Sequence, residues 1–169
     1  MKTLVAYFTW SNGNTENIAR RLAKALGADL EQIRTVVPYD GSYDEVVEQG
    51  RREVNQGYEP ELKPLEHDVS DYDVICVGTP TWWYTMAPAV SSYFSANDWT
   101  GKVVVPFMTN GGWPGTVIDD MESAAEGADI LEPMEVQFDS QGGSHQRTPD
   151  REVSAWIDRV KAAVDKRRN

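Results

Sequence analysis

Cysteine is almost absent: Cys76 is the only one in 169 residues. An intramolecular disulfide, a CxxC redox pair, a multi-cysteine zinc site and a cysteine-ligated iron–sulfur cluster are all excluded. Histidine is scarce too. His67 and His145 sit in loops too far apart in sequence to suggest a metal pair, so no metal ligands are assigned. Long apolar runs are missing. The first, in MKTLVAYFTWSNGN, gives way to polar Ser11, Asn12 and Gly13, which fits neither a signal peptide nor a transmembrane span. A cytoplasmic location is the resulting expectation.

Positive charge is also in short supply. Sixteen Lys plus Arg against 27 Asp plus Glu give a net charge of −11. This argues against nucleic acid and anionic membrane surfaces as partners and leaves room for a basic protein. The GxxxxGKS/T, GxGxxG and GxSxG patterns do not occur, which disfavours nucleotide hydrolysis, a dinucleotide site and a nucleophile-elbow hydrolase.

What is present is ordinary globular composition, 40% hydrophobic and 25% charged, in a length that suits one domain over residues 1–169. Continuous apolar runs predict strands at Lys2–Phe8, Asp29–Val37, Asp73–Gly78, Lys102–Met108 and Ile130–Phe138. Helical spacing predicts helices between them: Ile18/Leu22/Ala25, a modest one over Tyr43–Gln56, one from Ala87 to Ala96, and one with Val117 and Met121. A last helix starts near Thr148-Pro149, with Val153, Trp156, Ile157, Val160 and Val164 as its apolar face. Gly57 to Val69 reads as a connection. Five βα units predict an α/β fold: a doubly wound, five-stranded parallel sheet of order 2-1-3-4-5 with helices on both faces. In such sheets ligands bind beyond the carboxyl ends of the strands, at the switch point.

The segments after strands 1, 3 and 4 are therefore the informative ones. The first, Thr9-Trp10-Ser11-Asn12-Gly13-Asn14-Thr15, offers hydroxyls, amides and a helix N-terminus, with no Lys or Arg between Thr3 and Ala19. It suits an anion held by neutral donors, most naturally a phosphate. The second carries Pro80, Thr81, Trp82, Trp83 and Tyr84. Three adjacent aromatics cannot all face the core; one is expected beneath the following helix and the others at a binding edge. The third, Thr109-Asn110-Gly111-Gly112-Trp113-Pro114-Gly115, lets backbone approach a ligand. Four of the six tryptophans, Trp10, Trp82, Trp83 and Trp113, fall in these segments, while Trp156 reads as core. A flat aromatic ligand bearing one phosphate fits this set. The strand ends Phe8-Thr9-Trp10 and Gly78-Thr79-Pro80 lack the carboxylates of a phospho-receiver domain.

YFTWSNGNTENIA resembles the flavodoxin phosphate loop, roughly Ser/Thr-x-Ser/Thr-Gly-Asn-Thr. GTPTWWYTMAPAV and PFMTNGGWPG resemble the two flavin-ring loops of the flavodoxin-like branch that carries a Trp-Trp pair. The resemblance spans nearly the whole chain. It implies a flavodoxin-like three-layer sandwich, FMN as cofactor and electron transfer as the role. Thr9, Ser11, Gly13, Asn14 and Thr15 would hold the phosphate. Pro80, Thr81, Trp82 and Trp83 would line the isoalloxazine, and Thr109, Asn110, Gly111 and Gly112 would meet its polar edge. Asn12 makes the first loop one residue longer than the pattern. Tyr84 stands where many flavodoxins have glycine, so a backbone reorientation requiring φ > 0 is expected to cost more there. Redox partner proteins with a basic docking face are expected, with the chain a monomer or weak dimer. The alternative on the same scaffold is an NAD(P)H-dependent quinone or nitro reductase, which needs room beside the ring for a second flat molecule.

Overall fold

The computed structural model describes residues 1–169. The elements run β1 (Thr3–Tyr7), α1 (Asn14–Leu26), β2 (Asp29–Gln32), α2 (Tyr43–Gln56), β3 (Val74–Trp82), β4 (Thr85–Met86) and α3 (Pro88–Ser95). They continue as β5 (Val103–Asn110), α4 (Val117–Ala124), β6 (Asp129–Ile130), β7 (Met134–Gln137) and α5 (Asp150–Arg168). The sheet order is β2-β1-β3-β5-β6, with β7 also beside β5, and all of these pairings are parallel. The fifth predicted strand is thus β6 and β7 together, and the order 2-1-3-4-5 holds. No helix is long and apolar enough to cross a membrane.

Two-sided burial of the central strands explains the layering. Leu4, Ala6, Ile75, Val77 and Val104 face one core, closed by Val46 of α2, Val90 and Tyr93 of α3 and Met121 of α4. Val5, Cys76, Val105 and Phe107 face the other, closed by Ile18 and Leu22 of α1 and Trp156 and Val160 of α5. Alternate residues of each strand thus serve opposite cores, the pattern a parallel sheet covered on both faces requires. Cys76 is fully buried mid-strand, and burial pushes its thiol well above its ordinary value, so it behaves as a small hydrophobe.

The departures from expectation have local causes. The second strand ends at Gln32 rather than Val37; Ile33 joins the core, but Val36 and Val37 are exposed. Thr35 instead forms an antiparallel bridge to Leu62, and Pro38 follows. The fifth strand breaks at Leu131–Pro133, where Glu132 takes φ +45° and Pro133 has no N–H for the ladder. The Glu132 carbonyl accepts the Trp156 indole N–H at 2.7 Å, tying the break to α5. Pro149 caps the last helix rather than occupying its first turn, because the Thr148 hydroxyl is engaged with the Gln137 N–H at 2.7 Å. The third predicted strand runs four residues longer, to Trp82, and pairs back on β4.

Trp156 is fully buried, stacks at a tilt on Phe107 and holds the strand break through its N–H. Trp156→Ala is expected to lower stability by about 3–5 kcal/mol, read by urea denaturation. A loss below about 1 kcal/mol would mean the α5 face is not tightly packed.

Candidate functional site

Beyond the carboxyl ends of β1, β3 and β5 lies a cleft of about 340 Å³. Of the sixteen residues expected to hold the cofactor, the cleft is lined by thirteen: Ser11, Asn12, Asn14, Thr15, Pro80, Thr81, Trp82, Trp83, Tyr84, Thr109, Asn110, Gly111 and Trp113; Trp10 lines it as well. Thr9, Gly13 and Gly112 are not in its lining. Gly13 precedes α1 in the left-handed conformation, and Gly112 donates its N–H to the Asn110 side chain at 2.7 Å.

The phosphate-loop candidate is held by its neighbours rather than by itself. Thr15 and Thr109 hydroxyls meet at 2.8 Å in a buried contact that joins the first loop to β5. The extra residue of the loop is absorbed by Ser11 at φ +71°. The Asn12 amide then reaches across to the Gly142 carbonyl, and the Asn14 amide to Gly143 at 3.0 Å. No side chain caps the N-terminus of α1, so its first N–H groups and its positive dipole end stay available. The Thr9 hydroxyl is buried with no partner in the protein. A buried polar group of this kind is costly unless something satisfies it. An uncapped helix start, an orphaned hydroxyl and several neutral amides form a donor set that suits a phosphate. No lysine or arginine lines the cleft; Asp139 is its one charged residue.

The aromatic wall is organised around Trp82. Its ring meets Tyr39 at 4.9 Å, Phe8 at 5.7 Å and Trp10 at 6.4 Å, each edge to face. The Trp10 indole N–H donates to the Tyr39 carbonyl at 3.0 Å, and its ring leans on Tyr43 at 5.8 Å. Trp82 also packs on Gly50 of α2, where an added Cβ would lie 3.1 Å from its ring. One of the three consecutive aromatics therefore packs beneath a helix as expected, partly buried, but that helix is α2, not the one that follows.

Trp83 and Tyr84 form the two-residue connection between β3 and β4, with φ of +50° and +68°. Tight turns with both central residues at positive φ normally use Asn-Gly. Tyr84 already occupies the conformation that its lack of glycine was expected to penalise, so the surroundings must hold it there. The Trp83 indole donates to the Val47 carbonyl at 2.7 Å. The Thr116 N–H donates to the Tyr84 carbonyl at 2.9 Å. Asp120 accepts both the Thr85 and Thr116 hydroxyls, at 2.6 and 2.7 Å. Gly115, at φ +55°, allows this approach, since a Cβ there would fall 2.2 Å from the Tyr84 carbonyl oxygen. Trp83, Tyr84 and Trp113 remain exposed at the rim.

Two further parts of the lining lie outside the three assigned segments. Tyr43, Val46, Val47 and Gly50 come from α2, which precedes β3 and reaches the cleft only through packing. Phe138, Asp139, Ser140, Gly142 and Gly143 come from the segment after β7, where Gln141-Gly142-Gly143-Ser144 suggests in sequence either a border of the site or, more readily, a flexible loop; the structure makes it a border. Asp139 builds that segment. Its carboxylate accepts the N–H groups of Gly143 at 2.9 Å, His145 at 3.0 Å and Gln141 at 3.1 Å. Those bonds, that of Gly143 foremost, hold its pKa below the usual carboxylate range. The folded pKa is thus depressed below the unfolded value of about 3.9. Its stabilisation of the loop is present above that value and lost as pH falls through the lowered one. Amide protection at Gly143 and His145 should hold at neutral pH and collapse only as pH falls past the ordinary carboxylate value and through the lowered one, while Asp139→Asn should lack it already at neutral pH. Unchanged exchange in that variant would remove the role.

The sequence profile of the flavodoxin family matches residues 2–157. A flavodoxin of Haemophilus influenzae is 30% identical over 102 residues, covering 58% of this chain and 44% of that protein. The chain spans about half the length of such relatives. A Bacteroides eggerthii chain assigned as a flavoprotein superposes with a TM-score of 0.74 at 26% identity, over 93% of this chain and 96% of that one. A Lactobacillus acidophilus flavoprotein in complex with FMN shares the fold, with a TM-score of 0.70 at 20% identity over 92% and 97% of the two chains. With three loops in register around one cleft and a profile match over nearly the full chain, the protein belongs to the flavodoxin family.

Proposed function

We propose that this protein carries electrons through FMN bound in the cleft. The observation that carries the reading is the pairing of two unlike features: an uncapped helix start with neutral donors and, just behind the lining, the unpartnered Thr9 hydroxyl, and an aromatic wall beside them. Thr9, Ser11, Asn12, Gly13, Asn14 and Thr15 would hold the phosphate. Trp10, Trp82, Trp83, Tyr84 and Trp113 would frame the ring, with Pro80, Thr81, Thr109, Asn110, Gly111 and Gly112 toward its edge. The flavin supplies one- and two-electron chemistry; the protein supplies position and electrostatics.

Two properties of the chain act on that chemistry. A cleft without a cation, in a protein of net charge −11, disfavours added negative charge on the ring, as does contact with electron-rich indoles. Both lower the reduction potential relative to free FMN. The same acidic surface would steer a basic donor or acceptor protein into a transient, salt-sensitive complex.

The visible spectrum of the purified protein tests the cofactor, with FMN rather than FAD expected on denaturation. A colourless protein that fails to bind added FMN overturns the reading. Replacing Thr9 by Val should weaken FMN by about tenfold to a hundredfold, the worth of one hydrogen bond to a charged group, while leaving riboflavin affinity nearly unchanged. Equal losses for both ligands would take Thr9 out of the phosphate site. Mixing the FMN protein with NADPH anaerobically tests the role: slow or no bleaching is expected, and rapid bleaching would establish the reductase alternative instead.

A further inference from the structure

A second cluster of ligating side chains lies apart from the cleft. Glu31 sits in β2 opposite Ala6, on the sheet face that carries Ile33, and is 5% exposed. One carboxylate oxygen accepts the Glu66 backbone N–H at 2.7 Å; the other lies 2.7 Å from His67 Nδ1. The Glu66 side chain completes the group. One ligand atom from each of Glu31, Glu66 and His67 lies within 4.8 Å of the others. None of the three lines the flavin cleft.

A paired buried glutamate could be no more than a satisfied hydrogen bond. Tyr93 supplies the independent observation. It stands on α3 against the same sheet face as Glu31, is fully buried, and its hydroxyl has no partner in the protein. The sheet face that carries Glu31 thus also holds a buried hydroxyl that no protein group satisfies.

We propose that Glu31, Glu66 and His67 form a binding site for a divalent first-row transition ion of the zinc class. One imidazole nitrogen with two carboxylate oxygens suits a borderline ion; calcium and magnesium favour all-oxygen shells. Tetrahedral coordination at 2.0–2.2 Å puts ligand atoms roughly 3.4 Å apart. The exposed Glu66 side chain can close that gap by rotation, and the Glu31–His67 contact opens slightly to admit the ion. Three protein ligands leave a fourth position for water. The ion would fasten β2 to the irregular Gly57–Val69 connection, otherwise joined to it through the Thr35–Leu62 bridge and the Glu31 contacts. This proposal does not depend on the flavin reading.

Titration of the purified protein with zinc chloride, followed by calorimetry and by thermal unfolding, tests it. One saturable equivalent per chain and a midpoint rising with zinc are expected. Glu66→Gln and His67→Gln should each weaken binding by about tenfold or more, with flavin content per chain unchanged. Glu66 is exposed, so its variant removes a ligand without removing packing. Absence of saturable binding, or an affinity in both variants unchanged from that of the unsubstituted protein, overturns the site.

Discussion

The packing of Trp82 is the constraint on which the cleft depends. It is the last residue of β3, and its ring is boxed by Phe8 at the end of β1, Tyr39 beyond β2, Trp10 in the first loop and Gly50 of α2. Four chain segments are fixed against one rigid indole. Beneath it, the Tyr39 hydroxyl donates to Glu53 at 2.6 Å and Gln49 donates to the same carboxylate at 2.8 Å, so the buried glutamate under the wall is satisfied. With Trp82 fixed, the next two residues must turn the chain within two positions to reach β4, which forces Trp83 and Tyr84 into positive φ.

That strain is distributed rather than relieved. The turn is tied to α2 through Trp83, to the segment before α4 through Thr116, and to α4 itself through Asp120. Each tie satisfies a polar group that would otherwise be idle, and together they hold two large aromatics in a conformation that favours glycine. The arrangement keeps Tyr84 exposed without leaving its backbone loose.

The fold was legible because its central strands are continuous β-branched runs, buried on both faces, and the order of five βα units left few topologies. Most of the site was legible for a related reason: a doubly wound sheet places the loops after strands 1, 3 and 4 at one edge, so Thr9–Thr15, Pro80–Tyr84 and Thr109–Trp113 could be assigned together. What escaped depends on distance through space. Nothing in Tyr43–Gln56 announces that Gly50 makes room for Trp82, because that contact joins residues 32 positions apart. Nor does the composition of Asp139–Gly143 reveal that one carboxylate gathers three amides into a wall. The same blindness hid the meeting of Glu31 with Glu66 and His67, since sequence spacing favours neighbours and this cluster spans a helix.

Charge is handled by two separate means in this molecule. In the cleft, an anion would meet hydroxyls, amides and a helix terminus, which are dipoles fixed by packing and therefore little affected by salt. The single acid there, Asp139, has its charge spent on backbone N–H groups and so adds little field of its own toward a ligand. The net charge of −11 resides instead on exposed carboxylates, where ionic strength screens it. Retention of a phosphate-bearing cofactor and attraction of a basic partner would thus respond differently to salt. Ionic strength could release the partner without loosening the cofactor, a separation that a lysine-based phosphate loop would not allow as cleanly.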